Sequence, residues 1–123
     1  MKKNANKHKK ELARIADERL FLGKEYAESI LKEVLTKNKT HNLLSRDEFQ
    51  IIPDEKILLE VIEPILFKHY PKSVIEEQKP YEIHDFEQYF VVNGTLPMGI
   101  RGGTFEIIVR KKDAQILKLS HSR

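Results

Sequence analysis

The hydrophobic period changes once along this chain, at Tyr70-Pro71, and that change limits what it can fold into. Before it, apolar residues recur at three- and four-residue spacing: Tyr26, Ala27, Ile30, Leu31, Val34 and Leu35, then Ile57, Leu58, Val61, Ile62, Ile65 and Leu66. Such spacing lines one face of an α-helix. After it the period falls to two, which is the signature of half-buried strands. Helices followed by strands, rather than alternating with them, predict an α+β fold with an antiparallel sheet. The expectation is two or three N-terminal helices packed on a curved antiparallel sheet of about four strands.

The helical pattern opens near residue 10 with Leu12, Ile15, Ala16, Leu20 and Leu22. Gly23 either divides this run into two helices or weakens it. Lys37 to Asn42 ends it. Ser45-Arg46-Asp47-Glu48 has the form of a capping box, although Phe49 to Ile52 then reads as extended. Pro53-Asp54 introduces the next helix, over residues 54–69, with Asp54 as its N-cap. Leu59 and Phe67 widen its apolar stripe, so it is expected to be covered on more than one side. Pro64 removes one backbone donor and predicts a kink. Strand candidates are residues 74–75, 86–92, 104–110 and 115–119, with a tight turn at Lys111 to Ala114. Gly94 to Gly103 reads as a longer loop.

The chain has 123 residues, the length of one domain. Residues 1–9 read as a flexible basic tail and residues 10–123 as a single domain. The net charge of +3 belongs to that end: residues 1–10 hold five lysines and no acid, leaving 17 basic against 19 acidic side chains. A nearly neutral body argues against a nucleic-acid partner. There is no cysteine, so disulfides and thiolate metal sites are excluded. No apolar run approaches the roughly 20 residues that span a bilayer. Glu11, Arg14, Asp17 and Glu18 stand where a signal peptide would be apolar. The expectation is a cytoplasmic protein without a membrane partner.

The densest signal lies in the C-terminal third. It runs Lys79-Pro80-Tyr81, Tyr89 to Val92, Asn93-Gly94-Thr95-Leu96-Pro97, Gly102-Gly103-Thr104-Phe105, Lys111-Lys112-Asp113 and His121. Over about residues 25–121 the chain resembles the bacterial immunity proteins of the nuclear transport factor 2-like (cystatin-like) fold, found with polymorphic toxins and secretion systems. Two positions depart from that pattern: Ala114 stands where the family favours glycine, and Phe90 where tryptophan is common. The resemblance implies neutralisation of a cognate toxin by tight binding, with no catalytic residue, cofactor or metal. It assigns Gly94, Thr95, Leu96, Pro97, Gly102, Gly103 and Phe105 to the fold, not to a reacting site. Gly94 and Gly103 are expected to supply backbone angles closed to other residues. Phe90 and Phe105 are expected to face the helices.

Other chemistries find little support. Gly94 to Gly99 has Walker-like spacing, but Ile100-Arg101 follow and a strand comes next. Gly99-Ile100-Arg101-Gly102 mimics a KH-type clamp without its helices. His84, Asp85 and His121 would have to meet in the sheet to hold a metal, and a triad of Ser120, His121 and Asp85 lacks a strained elbow. Proton transfer would need Asp85 or Glu106 beside Tyr81 or Tyr89 in an apolar pocket. Charge is more telling by segment. Residues 76–87 hold Glu76, Glu77, Glu82, Asp85 and Glu87 against Lys79 alone, while the last hairpin is basic. These five acids are the expected contact for a basic toxin.

Overall fold

The computed structural model of the chain describes residues 18–37 and 42–122. They fall into two units, one within Met1–His41 and one within Asn42–Arg123. The expected tail, the helical reading of Leu12, Ile15 and Ala16, and the stretch 38–41 lie outside the described residues.

The first unit holds helix α1, Gly23–Thr36. Gly23 has φ +88°, so the right-handed helix begins there instead of running through it. Residues 18–22 are irregular, and the expected helix through Leu20 and Leu22 does not form. At the other end Lys37 turns extended, its N–H donating to the Glu33 carbonyl at 3.1 Å.

The second unit opens with a 3₁₀ turn, Leu43–Ser45. The Ser45 hydroxyl donates back to the Asn42 carbonyl at 2.6 Å, so it closes this turn, and no α-helix follows it. Ile51 and Ile52 donate their N–H groups to the Lys112 and Lys111 carbonyls, at 3.1 and 2.9 Å. Helix α2 spans Glu55–His69. Asp54 caps it, one carboxylate oxygen accepting the Ile57 N–H at 2.9 Å. Glu55 in the first turn and Lys68 and His69 in the last complement the helix dipole. Full burial is confined to the row Leu58, Ile62 and Leu66; Leu59, Val61 and Phe67 beside it are half-buried.

Residues 74–75 are helical, not a strand. Helix α3, Lys72–Glu76, starts behind Pro71, whose carbonyl accepts from both Val74 and Ile75 N–H groups. Two adjacent apolar residues fit either period, and the proline decides for the turn.

The sheet has four antiparallel strands in sequence order: β1 Glu82–Asp85, β2 Tyr89–Asn93, β3 Phe105–Arg110 and β4 Ile116–His121. Strand β1 was not expected from the sequence. Residues 86–88, expected to begin β2, form the β1–β2 turn, closed by the Phe86 N–H donating to the Tyr89 carbonyl at 2.8 Å. Alternation sends Phe90 and Val92, and Phe105, Ile107 and Val109, to one face. There they meet Ile52, Leu58, Ile62, Leu66 and Ile75 in one fully buried core. Burial of a large apolar side chain contributes roughly 1.5–3 kcal/mol, so these ten residues carry the unit. The β3–β4 turn places Ala114 at φ +60°. That angle explains why glycine would suit the position.

The glycine roles differ from expectation. Positive φ falls at Gly99 (+82°) and Gly102 (+147°), and neither Gly94 nor Gly103 has it. Gly94 is needed for space: a Cβ there would lie 2.1 Å from Gln78 Oε1 and 2.7 Å from its Cβ.

Candidate functional site

Gln78 follows Glu77, the C-cap of α3, and is almost completely buried. Its side-chain oxygen accepts the Phe105 N–H at 2.9 Å. Its amide nitrogen reaches the Val74 carbonyl at 3.3 Å and His121 Nε2 at 2.9 Å. His121 Nδ1 lies 2.7 Å from the Ser122 carbonyl, which can only accept. Nδ1 therefore carries the ring hydrogen, and Nε2 accepts from Gln78. The Gln78 carbonyl accepts the Thr95 N–H at 2.9 Å, while the Thr95 hydroxyl donates to the Pro80 carbonyl at 2.6 Å. Gly94, Thr95, Phe105 and His121 thus meet at one glutamine, which fixes the segment that follows α3 against the sheet.

That segment, Lys79-Pro80-Tyr81, runs into β1 and borders an open groove. Leu59 and Glu63 of α2, Lys79, Pro80, Tyr81 and Ile83 line it, and its volume is about 580 Å³. The Tyr81 hydroxyl donates to Glu63 at 2.8 Å, and the Lys79 ammonium sits 3.3 Å from the same carboxylate. Tyr81 packs edge-on against Phe105, ring centroids 5.1 Å apart. Burial first, then the Glu63 carboxylate, then the charge of Glu76, push the Tyr81 phenol well above its ordinary value. The groove is thus an apolar trough with two carboxylates acting on its hydroxyl.

Strand β1 pairs with β2 alone among the described strands, so it is a sheet edge. The bond from Phe86 to Tyr89 sets the phase of the ladder. By alternation, Glu82 and His84 exchange hydrogen bonds with Asn93 and Val91, while the N–H and C=O groups of Ile83 and Asp85 point away from β2.

All five acids expected at a partner surface are exposed. Glu76 ends α3, Glu77 caps it, Glu82 and Asp85 open and close β1, and Glu87 lies in the turn after it. Glu82 pairs with His84 at 2.5 Å. Asp85 pairs with Lys111, whose buried ammonium also lies 4.6 Å from the centre of the Phe90 ring. The structure therefore strings these acids around α3 and β1. It adds Glu63, which the sequence did not mark, because one acid on an otherwise apolar helix face carries no local signal. Gln78 was missed because its partners Phe105 and His121 lie 27 and 43 residues away.

The alternative chemistries do not assemble. His84 and Asp85 lie on β1 and His121 on β4, at opposite edges of the sheet, so neither the metal site nor the triad forms. No group of three metal-ligating side chains occurs among the described residues. Asp85 stands opposite Phe90 and is tied to Lys111, whereas Glu106 stands opposite Asn93 on the other face and pairs with Lys118 at 2.5 Å. The two candidate acids thus lie on opposite faces of the sheet, and the Tyr81 hydroxyl donates to Glu63. Among the described residues no helix is long and apolar enough to cross a membrane.

The profile of the NTF2 fold immunity protein family matches residues 58–123, from the first buried residue of α2 through the whole sheet. The chain belongs to this family. An NTF2 fold immunity protein of this kind has relatives in Escherichia coli strain K12. It is 35% identical over 74 residues to the uncharacterized protein YhhH, covering 59% of this chain and 58% of the relative. It is 32% identical over 73 residues to the uncharacterized protein YbbC, covering 58% of this chain and 60% of the relative. The chain therefore spans about three fifths of both relatives. No solved structure matches it.

Proposed function

We propose that this immunity-family chain neutralises a toxin domain by stoichiometric binding, with no chemistry of its own. The observation that carries this reading is the family match over the α2–sheet scaffold. The mechanism is steric. The chain covers the toxin's active site or blocks its substrate path through an interface of roughly 1,200–2,000 Å². The partner surface includes the acidic side chains of α3 and β1, Glu76, Glu77, Glu82, Asp85 and Glu87, facing a basic toxin surface. The protein acts in the cytoplasm on a toxin that works there.

The test begins with the tagged chain purified from its native host. A polypeptide that co-purifies at one to one, kills cells when expressed alone, and ceases to kill when this chain is co-expressed supports the reading. Co-purifying material that is harmless alone, or killing that persists at equimolar chain, sinks it.

A further inference from the structure

The β1 edge and the groove beside it form one continuous feature. An added strand would lie about 4.8 Å from β1 and bond to the outward groups of Ile83 and Asp85. Its side chains would alternate. Those on the core side would enter the trough of Leu59, Pro80, Tyr81 and Ile83, and those on the other side would pass Glu82 and His84.

The two sheet edges are not equivalent. The β3–β4 register shifts between Ile108 and Val109, leaving Leu117 without a partner as a bulge, and Lys118 stands exposed beside it. Bulges and edge lysines discourage pairing with another chain. The register of β1 is regular over all four residues, and it carries no lysine.

Charge selects the occupant. Glu63 and Glu76 act on the groove side, Glu82 on the outer side and Glu87 at the turn, against Lys79. A second copy of this chain would bring the same acids edge to edge, and like charges across a strand pair are destabilising. A basic extended segment meets opposite charge on both faces.

We propose that the toxin docks by adding an extended basic segment as a strand on β1, seating an apolar side chain in the Leu59–Pro80–Tyr81–Ile83 groove. This rests on the immunity reading above. A lysine or arginine of that segment pairs with Glu63 in competition with Lys79.

The probe is the lethal polypeptide captured in the preceding experiment, re-expressed in an inactivated form. Amide exchange of the isotope-labelled chain is compared alone and in complex. Ile83 and Asp85 are expected to slow at least tenfold in the complex. Affinity is measured in parallel for Leu59→Glu and for the exposed charge reversal Glu76→Lys/Glu82→Lys, each checked for an unchanged melting profile. Leu59→Glu should weaken binding by roughly thirtyfold or more, as expected for a central anchor. The charge reversal should slow association, and an outer-face swap, Glu106→Lys with Lys118→Glu, should leave affinity unchanged. Unaltered exchange at Ile83 and Asp85, unaltered affinity in the groove variant, or protection of those amides by self-association of this chain would each overturn strand addition. If the wild-type chain forms no complex at all, the immunity reading falls with it.

Discussion

The Gln78 side-chain oxygen accepts the Phe105 N–H at 2.9 Å, joining the segment just after α3 to the first residue of β3. This bond ties the two halves of the C-terminal motif together, and a buried N–H is costly to leave unpaired. Gln78→Ala should destabilise the fold by about 1–3 kcal/mol. Urea unfolding of variant and wild type measures it. A loss below the error of the fit would mean that water replaces the glutamine without penalty.

Gly94 exists to let Gln78 in. Gly94→Ala should destabilise by roughly 1–3 kcal/mol through overpacking. Placed in the Gln78→Ala background, the same substitution escapes the clash with Oε1 and Cδ and keeps only the 2.7 Å approach to the Cβ of residue 78. The two losses should then fall short of additivity by at least about 0.5 kcal/mol. Strict additivity in a double-mutant cycle would show that Gly94 is required for another reason.

Ala114 is the described non-glycine residue with positive φ. Ala114→Gly should relieve the left-handed strain and stabilise the protein by about 1 kcal/mol, raising Tm by roughly 4 °C. A lower melting temperature would show that the entropy of the added glycine outweighs the strain.

Tyr81 should ionise well above the ordinary phenol range. Its folded pKa is raised above the unfolded value of about 10 by burial and by Glu63 and Glu76. Its contribution to stability is therefore complete below that unfolded value and is lost as pH rises through the folded one. Spectrophotometric titration should show a late phenolate step that Tyr81→Phe removes. An unchanged titration curve would place Tyr81 in an ordinary environment.

Asp113 behaves with the opposite sign. Its hydrogen bond from Arg110 at 2.9 Å, then that from the Gln115 N–H, hold its carboxyl below the ordinary value. The stability it contributes is present above the unfolded pKa and lost as pH falls through the folded one. Unfolding of Asp113→Asn and wild type should differ near neutrality and converge in acid. A gap that persists in strong acid would show that the asparagine acts by some route other than charge.

The sequence by itself determined the architecture. The change of period marked the passage from helices to strands, although α3 still follows Tyr70-Pro71; Pro53-Asp54 located the start of α2, and the alternation of Phe105, Ile107 and Val109 located β3. Each is a local signal, because an amphipathic element writes its own period into the chain. The tertiary structure decided the rest. Strand β1 reads Glu-Ile-His-Asp, with no apolar alternation, because backbone pairing to β2 suffices to hold a short edge strand. Gln78 meets a donor 27 residues away and a ring 43 residues away, and Glu63 meets Tyr81 across 18. Contacts at such separations leave no periodic trace. They form only once the sheet and α2 have brought distant parts of the chain within hydrogen-bonding reach, which is why the groove beside β1 could be seen in the fold and not in the sequence.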